Sequence, residues 1–436
     1  MPVKGVHGQS YANWRAQITS MYGGQLEFFF CVESTDDPAY PHIQRLQREN
    51  PEFKIHICVA GRSWHCSQKI HNQLHGFELA MRSCHYVIVI DDDIQLHPGT
   101  IRAWVEELET DPRALLASGY AFEFVAKDVN TLAPYLWMLW RLCASTGFNH
   151  PADRPVNCWG GALMYRAAEL KANVYGIIDA WRDGGYSEDF ISLSLARLHG
   201  RTIAVPKAAL FPNEIGDAQF GRFWNFVCRQ IYVLTRTYAT PAQRFIAIGG
   251  ALVNSGMHAA IFLGALATAA CSAYGAHALH TTGRSAWPSF ALDEENQLGD
   301  SCAVSVCAGA FFYLAWLLFG ITAQLCLRTF AALCNTLSPE LAPIDVSHVR
   351  LWHILGAYMI YAPIIPAATL ATLGTASILW SGVWFTARAG RVSAMHRQDE
   401  HGSWYNISRE KSLETAFRDI AQRQVAEDPL LRSLAS

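Results

Sequence analysis

Three stretches of the chain, residues 245–274, 303–327 and 352–385, contain no Asp, Glu, Lys or Arg. About 20 apolar helical residues cross a ~30 Å hydrocarbon layer, so each stretch is long enough to do so. Any fold for this chain must either place them in lipid or hide them in an unusually large core. The second option fits poorly, because charges recur through the first 240 residues and thin abruptly after them. Small residues in the first stretch (Gly249, Gly250, Ser255, Gly256, Gly264, Ala265) suit close helix packing in lipid. Pro363 and Pro366 interrupt the third, which is expected to kink or to divide into a short helix and a span. The expected organisation is a globular part over 1–240, a helical transmembrane or interfacial region over 241–387, and a C-terminal tail over 388–436.

The charges flanking these stretches give conflicting orientation signals. The loop at about 276–302 carries Asp293, Glu294, Glu295 and Asp300 against Arg284 alone, which suits the non-cytosolic side. Arg388, Arg391 and Arg397 argue instead for a cytosolic tail. Three full crossings would put that tail opposite the N-terminal domain, so one stretch is expected to lie in the interface or to split. Asn406-Ile407-Ser408 is a glycosylation sequon whose occupancy reports the side it occupies. Farther on, Leu413, Phe417, Ile420 and Val425 recur near helical spacing and suggest a docking face. Twelve cysteines without CxxC spacing fit a reducing compartment, and a net charge of -3 gives no signal for nucleic acid.

Within the globular part, LEFFFCV (26–32), KIHICVA (54–60) and YVIVI (86–90) read as strands, while residues 42–49, 67–82 and 100–109 read as helices. Alternation of this kind implies an α/β domain with a mostly parallel sheet, whose ligands gather at the carboxyl ends of strands. The acidic loops ESTDDP and DDD both fall at such ends. Residues 132–142 are apolar but too short to cross a membrane; they form a core helix or lie at the membrane surface.

Asp91, Asp92 and Asp93 directly follow the third strand. Adjacent carboxylates repel one another unless a cation neutralises them. Asp91 and Asp93 can offer oxygens to magnesium or manganese, with water and a diphosphate completing the shell; a solvated acidic turn is the alternative. Lys69 and Asn72 share a face near a helix start, suited to phosphate or ribose or simply to solvent. Glu188 and Asp189 open an apolar helix behind the flexible Gly184-Gly185 pair. They suit the helix dipole in any case, and Asp189 can also act as a general base. Arg229 and Gln230 lie in an aromatic run ahead of the first membrane stretch, where Arg229 could join an interfacial belt or grip a diphosphate.

Seven blocks in order, PVKG (2–5), CVESTDDPAYP (31–41), CSQKIHNQ (66–73), DDDIQLHPGTI (91–101), WGGALM (159–164), RDGGYSED (182–189) and FGRFWN (220–225), resemble the ceramide glucosyltransferases, glycosyltransferase family 21, in their plant and algal form. The likeness extends to LCNTLSPE (333–340) and Trp-Ser-Gly (380–382). The resemblance implies a GT-A glycosyltransferase domain facing the cytosol from a multi-pass Golgi or endoplasmic reticulum membrane. UDP-glucose would be the donor, ceramide the acceptor and a divalent metal the cofactor. It implies that Asp37 holds the uridine, that Asp91 and Asp93 hold the metal, and that Asp189 is the catalytic base. Lys69, Asn72, Lys4, Gly5 and Glu188 are expected beside the nucleotide sugar. The family's (Q/R)xxRW element reads here as Arg229-Gln230-Ile231-Tyr232-Val233, leaving diphosphate contacts to Arg229 or Gln230. The family also carries an anchor helix ahead of PVKG, so the chain is expected to be shortened there. The rival readings are a processive polysaccharide synthase, a polyprenyl-phosphate glycosyltransferase, and an inactive nucleotide-sugar-binding scaffold.

Overall fold

Strand and helix alternate from the first turns of a computed structural model, which describes all residues except 21, 82–83, 147–156, 237–239, 283–296, 399–401 and 409–436. The acidic loop around Asp293 and the spacing from Leu413 to Val425 lie outside the described residues. In chain order the globular part comprises α1 (Ser10–Ile18), β1 (Glu27–Val32), α2 (Ala39–Glu49), β2 (Lys54–Val59), α3 (Gln68–Ala80), β3 (Tyr86–Ile90), α4 (Thr100–Thr110), β4 (Ala114–Ser118), β5 (Tyr120–Val125) and α5 (Ala133–Ser145). It continues through β6 (Ala162–Arg166), α6 (Ala167–Lys171), α7 (Ile177–Arg182), α8 (Glu188–Leu198), β7 (Thr202–Ala204), β8 (Leu210–Ile215) and α9 (Phe220–Arg236).

β1, β2 and β3 are short β-branched and aromatic runs with buried residues, which is why the sequence places them, whereas β4 to β8 are not read from it. β1 pairs parallel with β2, β5 with β8, and β4 with β7. One strand breaks the parallel pattern: β6 lies between β3 and β4 and runs antiparallel to both. Its N-terminus therefore sits against the C-terminus of β3, with Ala162 opposite Ile90. That reversal delivers the loop before β6 to the acidic triplet. α5 resolves the open reading of residues 132–142, since Leu136, Met138 and Leu139 are wholly buried and the helix packs on β5 and on the third apolar helix.

Three helices follow, α10 (Pro241–Thr282), α11 (Gln297–Leu337) and α12 (Leu351–Leu373), each long and apolar enough to cross a membrane. α10 and α11 pack together and expose large apolar side chains, including Phe245 and Phe311. α12 differs. Half of its most apolar window is buried in the protein, and both ends are tied to the α/β domain. Before it, His348 Nε2 lies 2.9 Å from the Val125 carbonyl; at its end Arg236 donates to the carbonyls of Leu373 and Thr375, 3.1 Å each. The helix runs unbroken through Pro363 and Pro366, where neighbouring helices surround the backbone.

The third apolar stretch does not continue as helix to residue 385, and residues 388–398 and 404–408 are not a plain tail. After α12 come β9 (Ser377–Trp380), β10 (Val383–Arg388), β11 (Arg391–Gln398) and β12 (Trp404–Ser408) in one antiparallel meander. Two tight turns join its first three strands. Ser381-Gly382 and Ala389-Gly390 all have positive φ and separate the register pairs Trp380/Val383 and Arg388/Arg391, the two-residue type I′ pattern. Residues 377–385 lack charge because this sheet packs against α9 and against Tyr186 of the loop before α8, not because they cross lipid.

Candidate active site

The Gly160-Gly161 loop ahead of β6 stitches two acidic segments together. Asp91 N–H donates to the Gly161 carbonyl (2.8 Å), and Gly160 N–H donates to Asp189 Oδ2 (3.0 Å). Only glycine allows this approach: a Cβ at Gly160 would stand 2.5 Å from Glu188 Oε1. From below, Gln17 of α1 donates to the carbonyls of Asp91 (3.0 Å) and Ile94 (2.7 Å), pinning the turn. Side chains nearly a hundred positions apart, Asp91 and Asp189, consequently line one cavity of about 380 Å³.

Lys69 enters this cavity from the first turn of α3, whose start is set by the Ser67 N-cap. Its ammonium lies 2.7 Å from Asp91 Oδ1, 2.6 Å from Glu188 Oε1 and 3.3 Å from the Gly160 carbonyl. Burial alone would depress its pKa, but the two carboxylates outweigh burial and hold it above the ordinary lysine value. Burial pushes the Glu188 carboxyl up to about 7, with Lys69 opposing the rise and Asp189 and Asp91 adding to it. Asp92 is pushed up to about 8, by burial first and then by the charges of Asp93 and Asp91.

Asp189 occupies the first turn of α8. Besides Gly160, it accepts from Phe190 N–H (2.8 Å) and from the Ser187 hydroxyl. These donors fix the carboxylate at the cavity wall. The Gly184-Gly185 loop just ahead is held from the far end of the chain: Val392 N–H donates to the Gly184 carbonyl (2.8 Å), and Arg391 pairs with Asp183. Gly184 has φ +79°, a backbone state that a side chain would strain.

Not every expected residue lines the cavity. Lys4, Lys69, Asn72, Asp91, Glu188, Asp189, Arg229 and Gln230 do; Gly5, Asp37 and Asp93 do not, whereas Asp92 does. Asp93 is open to solvent. Asp37 accepts from Gly5 N–H and Ala39 N–H, 2.9 Å each, tying the N-terminal segment to the start of α2. Asn72 is almost wholly buried and spends its amide on the Cys31 carbonyl (3.1 Å) and on Gln68 (2.8 Å). Lys4 donates to the Ser381 carbonyl (2.9 Å). Arg229 stacks over Trp380 at 5.0 Å and faces Phe226 at 5.8 Å. Where the family element has Arg-Trp, Tyr232 bonds the C-terminal sheet, donating to Ala376 O (2.9 Å) and accepting from Ala387 N–H (2.7 Å).

The sequence reading missed one whole wall. Tyr186, Trp380 and Phe385 pack in a cluster around the cavity, and the Tyr186 hydroxyl is buried without a partner among the described residues. The available cue was Ser381-Gly382, a hairpin signal between two aromatic runs.

Residues 1–135 match the model of glycosyl transferase family 21. This is the family of the ceramide glucosyltransferases. The family-21 match includes Lys4, Asp37, Lys69 and Asp91 to Asp93, while Glu188, Asp189 and Arg229 lie beyond it. No curated protein matches the chain. Among solved structures, the mannosyltransferase PcManGT from Pyrobaculum calidifontis, in complex with GDP-Man and Mn2+, is similar at a TM-score of 0.37 and 14% identity. That likeness covers 84% of this chain and 85% of the other. The family-21 match supports a nucleotide-sugar glycosyltransferase.

Proposed function

We propose that this protein transfers glucose from UDP-glucose to the primary hydroxyl of ceramide, inverting the anomeric centre to give β-glucosylceramide. The observation that carries the reading is the meeting of Asp91 and Asp189 in one cavity inside a chain whose N-terminal third matches family 21. Asp189, oriented by three donors, takes the proton of the acceptor hydroxyl as it attacks. Lys69 places positive charge beside the departing diphosphate, and Arg229 and Gln230 reach the same cavity from α9. The aromatic wall of Tyr186, Trp380 and Phe385 gives an acceptor with apolar chains a dry side, and the unpartnered Tyr186 hydroxyl suits its headgroup. Asp37 serves the uridine side by anchoring the N-terminal segment that carries Lys4.

The acidic triplet fits a hard divalent cation. Burial and then the charges of Asp93 and Asp91 push the Asp92 carboxyl up, a repulsion that such a cation relieves. Asp91, with Asp92 and Asp93 beside it, would hold magnesium or manganese. No group of three metal-ligating side chains converges among the described residues, so water and diphosphate oxygens would complete the shell, the usual habit of magnesium. When bound, the metal offsets charge on the leaving phosphate.

Connectivity supports one membrane arrangement. α10 leaves the α/β domain and α11 returns to it, where Ser338 bonds His97 of that domain (2.7 Å). α12 begins and ends on the domain, and β9 to β12 pack against it. Two crossings by α10 and α11, with α12 lying in the interface, keep every other part on the cytosolic face of a Golgi or endoplasmic reticulum membrane.

The test is transfer of radiolabel from UDP-glucose to ceramide-bearing membranes, with and without EDTA. Labelled, base-stable glycolipid that disappears with EDTA and with Asp189→Asn supports the reading. Undiminished turnover by Asp189→Asn refutes the base, and label in a polymer or a polyprenyl phosphate redirects the acceptor.

A further inference from the structure

A second recess, of about 440 Å³, lies where the end of α9, the start of α10 and the β10–β11 turn meet. It shares no lining residue with the cavity of Asp91 and Asp189. Three guanidinium groups reach it, those of Arg236, Arg244 and Arg388, and no Asp or Glu lines it. Among the described residues none of the three takes part in an ion pair, although the other arginines at this end of the sheet, Arg391 and Arg397, are each paired with a carboxylate. Arg236 is fixed by its bonds to Leu373 and Thr375, which engage one nitrogen and leave the remaining donors of the fork.

Three cations from separate elements repel one another unless an anion joins them. The recess opens at the first turns of α10, a helix apolar enough to cross a membrane. Phe245 is 78% exposed and Ile246 68% exposed, immediately beside Arg244, and Ile248 completes the wall. Basic groups and bare apolar side chains in one recess at the start of a membrane-length helix match the chemistry of the layer where headgroups meet acyl chains. A free anion has no use for the apolar half; ordinary snorkelling arginines do not need a recess built from three elements.

We propose that this recess binds the phosphate headgroup of an anionic phospholipid, with its acyl chains lying along Phe245 and Ile248. The inference rests on the reading of α10 as a membrane helix, not on the sugar donor or the acceptor. Arg388 shares its hairpin with Arg391 and Val392, which hold Asp183 and Gly184 ahead of the base. The bound lipid thus sits one turn from the support of the Asp189 loop.

The test uses the full chain in phosphatidylcholine nanodiscs containing a minor share of phosphatidic acid, then transferred to detergent, with retained lipid measured by mass spectrometry. Wild-type protein should retain phosphatidic acid preferentially, and Arg244→Gln/Arg388→Gln should lose that preference roughly tenfold or more. Arg388→Gln alone, at an exposed hairpin end, should lose part of it without disturbing the fold. Arg45→Gln/Arg48→Gln on α2 should retain it fully. Equal retention by wild type and the double variant overturns the proposal. So does displacement of the lipid by inorganic phosphate at equal concentration, which would mark a site for the free anion. Failure of wild-type protein to enter nanodiscs would instead remove the membrane reading beneath it.

Discussion

Lys69 Nζ lies 2.6 Å from Glu188 Oε1, and the same ammonium reaches Asp91 Oδ1 at 2.7 Å. One cation from α3 therefore joins the turn after β3 to the first turn of α8, the two segments that carry the acidic chemistry. Removing it leaves the buried Glu188 carboxyl beside the partly exposed Asp91 carboxylate. Breaking a fully buried pair costs about 3–5 kcal/mol, so Lys69→Met should lower the unfolding free energy by somewhat less than that, read as a fall in the denaturant midpoint, and abolish UDP-glucose binding. Lys69→Arg should recover part of the stability but little of the binding, because a planar fork cannot reproduce three contacts made by one ammonium. Unchanged stability in Lys69→Met would show that the contacts do not hold in solution.

Glu188 gives this assembly a pH dependence of definite sign. Its carboxyl is pushed up to about 7 in the folded state from an ordinary value of 4.5. Between those values the folded protein holds a proton that the unfolded chain has released, so stability falls as pH rises through the window and levels off above about 7. Glu188→Gln should reduce that slope between pH 5 and about 7 in denaturant titrations, leaving the part of the same sign that Asp92, pushed up to about 8, contributes. A slope of unchanged size after the substitution would assign it to other groups.

How much of this was legible in the sequence depends on how local the signal is. The strand at Tyr86–Ile90 and the turn of acidic residues behind it were plain, because a β-branched run and adjacent like charges carry their meaning within a few residues. Lys69 was found, but its partners were not, since nothing local says that residue 188 lies above residue 69. Asn72 shows the reverse: its motif suggested a ligand contact, while burial commits its amide to Cys31 and Gln68. The C-terminal sheet was hidden because β9 and the first residues of β10 are uncharged and apolar, as a membrane helix is, although β10 buries only the face of Val383, Phe385 and Ala387 and exposes Trp384. Only the turn residues Ser381-Gly382 and Ala389-Gly390 distinguished the two cases.

Arg397 of β11 pairs with Glu33 at the end of β1 and donates to Gln68 of α3 (3.2 Å), although more than three hundred positions separate them. Arg397 is 9% exposed, so the pair is shielded from water. It fastens the sheet that supplies Trp380 and Ser381 onto the elements that supply Lys69. Arg397→Gln and Glu33→Gln should each raise KM for the nucleotide sugar, by roughly tenfold if the pair is worth about 1.4 kcal/mol. The double variant should be no worse than either single one, a coupling that a double-mutant cycle measures directly. Additive effects would mean that the two residues act separately.

The sequon at Asn406 tests the two-crossing arrangement. Asn406 is exposed on β12, and β12 pairs with β11, which Arg397 binds to the α/β domain. If only α10 and α11 cross, this sheet stays with the catalytic domain on the cytosolic face, where oligosaccharide transfer to asparagine does not occur. Protein expressed in eukaryotic cells should show no mobility shift on endoglycosidase treatment, and Asn406→Gln should migrate with wild type. An engineered sequon between α10 and α11 should become glycosylated in the same cells. Because Arg397 ties this sheet to Glu33 of the α/β domain, sugar on Asn406 would place sheet and domain together on the non-cytosolic side and overturn the cytosolic orientation.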